Sequence, residues 1–132
     1  TLLAAKLAGE SGALGPKMDY LKPAVESVRK AHAAGIPLLF GSDVPVVPFD
    51  GTAQEFLLLA SAGLTPAEVL ATATTNAAKA LGMEAQLGTV AVGKLADMVA
   101  FGANPLSDLK VLASPVFVMQ EGKVVRNDAV KH

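Results

Sequence analysis

An apolar run that stops at a single carboxylate constrains this chain more than any other feature. Residues 36–43 read Ile-Pro-Leu-Leu-Phe-Gly-Ser-Asp. Residues 36–41 do not alternate between apolar and polar side chains, so we predict a strand that is covered on both faces, as in a parallel sheet. Asp43 then follows the carboxyl end of that strand, the place where α/β barrels position the groups that carry out chemistry.

Helical patterns lie before this strand. Residues 1–9 predict a helix that ends at Gly9, and the glycines and proline of residues 9–16 predict a loop. Asp19 is a candidate N-cap for a second helix, which we expect to end at Gly35. This helix leads directly into the strand.

Two capping boxes follow the strand. Thr52 with Glu55 predicts the start of a helix that runs through Ala62, and Thr65 with Glu68 predicts the start of the next one. The first of these helices is apolar almost all round, so we expect it to be deeply buried. Glu55 is therefore interpreted as a capping residue, with the mouth of a functional site as its alternative place.

The character of the chain changes after Gly82. Short β-prone segments replace the helical patterns, and the last two of them flank a Glu-Gly turn that predicts a hairpin. These segments are residues 87–91, 97–101, 116–120 and 123–126. We predict a helix–strand–helix part followed by a small β part that begins near residue 84.

Composition excludes several partners. The 11 basic and 12 acidic residues give a net charge of −1, so no basic face for nucleic acid is expected. No apolar run reaches the roughly 18 residues of a membrane span, so no membrane partner is expected. The chain lacks cysteine, which excludes disulfides and thiolate metal ligands and fits a cytoplasmic location. The start at Thr1 lacks a signal-peptide pattern, and we expect a partial or processed product.

Several stretches, taken in order, resemble the C-terminal part of the amidohydrolase superfamily, above all its imidazolonepropionase-like and prolidase-like branch. No single motif decides the resemblance, whereas the ordered set with its spacing does, and it covers about residues 20–127. The matching stretches are residues 34–43, 62–70, 73–82, 87–90, 93–99 and 104–106, and the closing hairpin.

The resemblance implies an α/β fold: the C-terminal portion of a metal-dependent (β/α)8 barrel plus the C-terminal strands of a small composite β-sandwich. Residues 1–83 would be the last helix–strand–helix units of the barrel, and residues 84–132 the strands of the sandwich. The implied activity is hydrolysis of a cyclic amide or dipeptide-like C–N bond in a small-molecule substrate by a metal-activated water.

The resemblance also gives Asp43 two roles, as a catalytic carboxylate and as a metal ligand. The implied cofactor is a divalent metal, with zinc as the first candidate. The family site needs a His-x-His pair and further histidines, whereas this chain has only His32 and His132. Since a catalytic metal needs about three protein ligands, we expect no metal on this chain alone and no parent activity from it. Substrate-binding residues stay unassigned.

Other polar residues are weaker candidates. Phe49 and Asp50 follow Asp43, where a solvated loop is favoured over a substrate contact. Asn76 is interpreted as a helix-start residue and Asp97 as a hydrogen-bonding anchor of the β part. The glycines at 88, 93 and 102 are interpreted as turn positions because their spacing does not form a phosphate loop.

Two further functions stay open beside the enzyme. One is a non-catalytic truncated barrel fragment that self-associates through its open strand edges. The other is an unrelated small α/β binding domain, which no specific residue in the sequence supports. As partners we accordingly expect either a homo-oligomer or association with the missing N-terminal part.

Overall fold

The computed structural model describes residues 1–11, 19–45 and 47–128, apart from the side chain at position 50. The described residues form five α-helices: α1 (Leu2–Ser11), α2 (Leu21–Ala33), α3 (Gln54–Ser61), α4 (Pro66–Ala73) and α5 (Thr75–Ala80). They also form three strands: β1 (Met98–Phe101), β2 (Pro115–Gln120) and β3 (Lys123–Asn127). Two 3-10 turns cover Phe49–Gly51 and Leu109–Ala113. None of the described helices is long and apolar enough to cross a bilayer.

The hydrophobic core lies among the helices. One face of α2 packs against it through Leu21, Val25 and Val28, which confirms the helical periodicity of that segment. The buried residues of the main cluster are Leu2, Leu59, Ala62, Leu64, Val69 and Leu109. Leu109 belongs to the second 3-10 turn, so one connection of the β part also reaches this core.

The ends of the first two helices differ slightly from expectation. Helix α1 continues past Gly9 to Ser11, because a glycine inside a helix costs only a modest amount of free energy. The rest of the predicted loop, residues 12–16, lies outside the described residues. The N-cap of α2 is Tyr20, one residue after the predicted Asp19, although Asp19 Oδ1 accepts a hydrogen bond from Lys22 N at 3.1 Å. Gly35 ends that helix with a φ of +71°.

Only one of the two predicted capping boxes is present. Thr65 and Glu68 form a complete box at the start of α4, with proline at the first helical positions. The Thr52–Glu55 box is wrong, because α3 begins at Gln54 and Glu55 comes too early in it to reach back to Thr52. Helix α3 is also less buried than expected, since it packs on one side and leaves Leu57 exposed.

The β part is a single antiparallel sheet in the order β1-β2-β3. The hairpin between β2 and β3 is confirmed, and both residues of its turn have positive φ values. Asp97 is an anchor as predicted, because its Oδ1 accepts a hydrogen bond from Glu121 N at 2.7 Å. The predicted strand at residues 87–91 is wrong, because Gly88 and Gly93 turn the chain there with φ values of +87°.

Candidate functional site

Residues 36–41 run extended across the helical part but do not form a strand ladder. No second parallel strand exists among the described residues, so the predicted strand has no neighbour to pair with. The prediction that both faces are covered is also wrong, because Ile36 and Leu39 are about half exposed. Leu38 and Phe40 are the exceptions, since both pack against the core and the Phe40 ring stacks on Phe56 with centroids 4.2 Å apart.

One edge of this segment is held by the junction of α4 and α5. Asn76 Nδ2 donates to Leu38 O at 3.1 Å, and Phe40 N donates to Thr72 O at 3.0 Å. Asn76 therefore starts a helix, as expected, and at the same time fixes the extended segment. Because alternate residues of an extended chain face the same edge, the backbone groups of Leu39 and Gly41 face the other edge.

Asp43 follows this segment in an unusual backbone conformation. Its φ is +57°, in the left-handed region that few residues other than glycine adopt. Its carbonyl accepts a hydrogen bond from Val47 N at 3.1 Å, which closes a tight loop, and the residue is exposed. Left-handed residues of this kind concentrate at functional sites. Asp43 is thus presented to solvent at the end of the extended segment.

The residues around Asp43 do not by themselves fit a metal. Across the described ranges, no group of three or more His, Cys, Asp or Glu side chains could hold an ion. His32 lies near the start of the extended segment, away from Asp43, and His132 lies outside the described residues.

His32 instead pairs with Glu68 across α2 and α4. His32 Nε2 lies 3.1 Å from Glu68 Oε1, and both side chains line a shallow groove of about 320 Å³. The Thr65 hydroxyl and amide donate to Glu68 Oε2, and together with His32 they lower the pKa of Glu68 from 4.5 to about 2. This pair links two helices and leaves the His32 side chain about one-third exposed.

Glu55 is the buried polar group that the sequence did not reveal. It is 4% exposed, and its carboxylate accepts hydrogen bonds from Leu2 N and Leu3 N at 3.1 and 2.7 Å. It thus caps α1 instead of its own helix. More than fifty residues separate Glu55 from the amides that it binds, and no local sequence motif predicts such a contact.

The remaining candidates are Phe49, Asp50 and the glycines of the turns. Phe49 is exposed in the 3-10 turn after Asp43, as a solvated loop predicts. The side chain of Asp50 lies outside the described residues. Gly88 and Gly93 are turn residues with positive φ, as interpreted from the sequence.

Comparison with known proteins decides the family. The profile of the Amidohydrolase family matches residues 7–125, nearly the whole chain. The chain belongs to the amidohydrolase family. The family resemblance inferred from the ordered motifs is therefore confirmed.

Curated relatives of this amidohydrolase chain are much longer than it. An imidazolonepropionase of Symbiobacterium thermophilum is 42% identical over 74 residues, which cover 54% of this chain and 17% of that protein. An ochratoxinase of Aspergillus niger is 32% identical over 111 residues, which cover 80% of this chain and 23% of that protein. The chain therefore spans about a fifth of the length of such relatives.

Solved amidohydrolase-type structures match nearly the whole chain. A putative prolidase from Bifidobacterium longum superposes with a TM-score of 0.80 at 34% identity, over 99% of this chain and 35% of that one. A Xaa-Pro dipeptidase with methionine bound in its active site superposes with a TM-score of 0.84 at 27% identity, over 96% of this chain and 33% of that one. The mixed α/β arrangement is thus of the type found in a contiguous third of such structures.

Proposed function

We propose that this chain is the C-terminal portion of an enzyme that hydrolyses a carbon–nitrogen bond in a small cyclic amide or dipeptide-like substrate. The family match and the relatives that bear the names imidazolonepropionase and prolidase support this reaction class. The observation that carries the proposal is Asp43, an exposed carboxylate in the left-handed conformation at the end of the extended segment.

The proposal assigns a place in the whole enzyme to each part of the chain. Residues 1–83 would contribute the last helix–strand–helix units of a (β/α)8 barrel, and residues 84–132 the C-terminal strands of a composite β-sandwich. The open edge of residues 36–41 supports the first assignment, because a barrel strand pairs with a neighbouring strand along its edge. The sparsely buried sheet supports the second, because a sandwich needs a second sheet to cover it.

Asp43 would act on protons during the reaction. It would accept a proton from the water whose oxygen forms the new bond to the carbonyl carbon. It would then pass that proton to the nitrogen as the C–N bond breaks. The additional role as a ligand of a divalent metal, zinc in the first place, requires ligands outside this chain, since the described residues do not form a metal site.

The test uses the complete protein that carries this chain. Hydrolysis of a Met-Pro dipeptide and of imidazolonepropionate is measured for the wild type, for Asp43→Asn and for Asp128→Asn. Loss of a general base lowers kcat by roughly 10²- to 10⁴-fold, so Asp43→Asn should lose that much on whichever compound is hydrolysed. Asp128 pairs with Arg126 beyond β3 and serves as the matched control. Unchanged turnover in Asp43→Asn would overturn the proposed role of Asp43.

The second candidate is a non-catalytic fragment that self-associates. One observation favours it: the backbone groups of Leu39 and Gly41 bond to no other described residue, so one edge of the extended segment is open. The α4–α5 junction occupies the other edge, so only one of the two edges expected from the sequence is open. Light scattering on Leu39→Pro, which removes an edge N–H, and Leu39→Ala, which keeps it, tests this candidate. Only the proline variant should become monomeric.

A further inference from the structure

The backbone N–H groups in the first turn of α1 donate to two side chains, those of Glu55 and Thr1. Leu2 N and Leu3 N donate to the two carboxylate oxygens of Glu55, one to each. Ala4 N donates to the hydroxyl of Thr1 at 3.1 Å. Glu55 therefore supplies acceptors from α3 for two amides of α1.

Because Glu55 is buried, its hydrogen bonds to the first turn of α1 stabilise the structure. A buried carboxylate is costly unless its oxygens accept hydrogen bonds, and the two amides of α1 provide these bonds. Hydrogen bonds to a charged acceptor are stronger than neutral ones, and the positive end of the helix dipole favours the negative charge. Glu55 and the first turn of α1 therefore stabilise each other.

The first turn of α1 lies near residues that precede and follow the Asp43 loop. On one side, a Cβ added to Gly41 would lie 3.6 Å from Cγ2 of Thr1. On the other side, a Cβ added to Gly51 would lie 3.9 Å from Cδ2 of Leu3. Gly41 comes two residues before Asp43, and Gly51 closes the 3-10 turn after it. The first turn of α1 thus lies near the chain before and after Asp43.

One buried residue anchors the loop that follows Asp43. Val47 is fully buried, and its N–H donates to the carbonyl of Asp43. Glu55 also lines, together with Thr1 and Gly41, a second groove of about 420 Å³ beside the extended segment. A shift of the first turn of α1 would therefore be passed to the backbone on which Asp43 lies.

We infer that Glu55 is a positioning residue that fixes the backbone around Asp43 through the first turn of α1. The inference rests on the function proposed above for Asp43. Glu55 does not contact the reacting atoms in this arrangement. It holds a left-handed residue in place at a distance, which explains why a carboxylate is buried in an otherwise apolar helix.

The test compares Glu55→Gln with Thr65→Ala in the complete protein. Glutamine offers one acceptor oxygen where glutamate offers two, so one amide of α1 meets an N–H₂ group instead. Small misplacements of a catalytic group cost up to about 100-fold in rate, and we expect kcat per folded enzyme to fall about 10- to 100-fold. Thr65→Ala removes another helix N-cap, and its kcat per folded enzyme should equal that of the wild type.

Amide hydrogen exchange on the 132-residue chain provides a readout that general destabilisation does not reproduce. In Glu55→Gln, the amides of Leu2, Leu3 and Val47 should exchange about tenfold faster, while Val118 in the sheet keeps its rate. Thr65→Ala should leave the exchange of Val47 unchanged. If glutamine prevents folding, Glu55→Asp keeps the charge one methylene further away, and a smaller change in the same direction is expected.

The outcomes separate the two claims. If Asp43→Asn is inactive while Glu55→Gln keeps both wild-type kcat and wild-type exchange at Val47, the positioning role is overturned and the proposed function stands. If Glu55→Gln and Thr65→Ala lose kcat equally, Glu55 is only a structural cap and the inference is again overturned. If Asp43→Asn retains full activity, the role of Asp43 and the inference built on it fall together.

Discussion

The helical part and the sheet of this chain differ in how completely each is packed. Of the nine buried hydrophobic residues among those the structure describes, eight lie before residue 84, and the ninth, Leu109, packs against the helices. By contrast, no side chain of the three described strands is buried, and every residue of β3 is exposed. The hydrophobic core therefore belongs to the helical part. The sheet is stabilised by its ladder of hydrogen bonds and by its connections to the helices.

The contrast between the helical part and the sheet also shows where the candidate site lies relative to the core. The candidate site lies in the well-packed part, where Glu55, α1 and the α4–α5 junction hold the backbone on either side of Asp43. Even there, the extended segment has one open edge and exposed apolar side chains. A region can thus be well packed on one side and exposed on another.

The largest effect is expected from Leu59→Ala in the helical core. Leu59 is 4% exposed, and removing a buried leucine side chain costs about 2–5 kcal/mol. The matched control is Val125→Ala on the exposed strand β3, for which a change within about 0.5 kcal/mol is expected. Urea unfolding followed by circular dichroism measures both. Equal losses would contradict the claim that the core belongs to the helices.

A smaller effect is expected where the two parts meet. A Cβ on Gly88 would lie 2.8 Å from Cβ of Ala78 and 3.2 Å from the carbonyl oxygen of Thr74, and its φ is +87°. Gly88→Ala should therefore cost about 1–3 kcal/mol, from backbone strain and from the clash with α5. Gly93→Ala has the same φ but open space around it. Thermal unfolding should show a clearly larger loss for position 88 than for position 93.

The smallest effect is a pH dependence within the helical part. The pKa of Glu68 is lowered to about 2 in the folded chain, chiefly by the Thr65 hydroxyl. Its contribution to stability is thus fully present above pH 4.5 and is lost as the pH falls toward about 2. The pair with His32 is partly exposed, so solvent screening keeps this contribution modest. As the pH is lowered from 4.5 to about 2, the urea midpoint of unfolding should fall less steeply for Glu68→Gln than for Glu84→Gln. The second variant is the control, because it keeps the Glu68 carboxylate.

Much of the fold could be predicted because local rules decide it. The capping box at Thr65, the helix end at Gly35 and the Glu121–Gly122 turn each depend on a few neighbouring residues. The hairpin followed for the same reason, whereas the anchoring contact of Asp97 reaches Glu121, 24 residues further along the chain. The family, too, was readable, because an ordered set of such local signals spans the chain.

What could not be predicted depends on distant partners. The sequence of residues 36–41 predicts a strand, but a strand also needs a neighbour, and none exists among the described residues. The Thr52–Glu55 pattern predicts a capping box, but a helix start two residues later turns Glu55 toward α1. Asp43 stays a prediction as a catalytic residue and metal ligand, since its proposed partners belong to the rest of the enzyme.

The most direct test of the account is zinc binding by the 132-residue chain beside the complete protein. Calorimetric titration should detect no stoichiometric zinc on the chain, because a stable site needs about three protein ligands. The complete protein should bind zinc, and Asp43→Asn should weaken that binding. Stoichiometric zinc on the isolated chain, lost in Asp43→Asn, would contradict the claim that Asp43 is one member of a site completed by residues elsewhere.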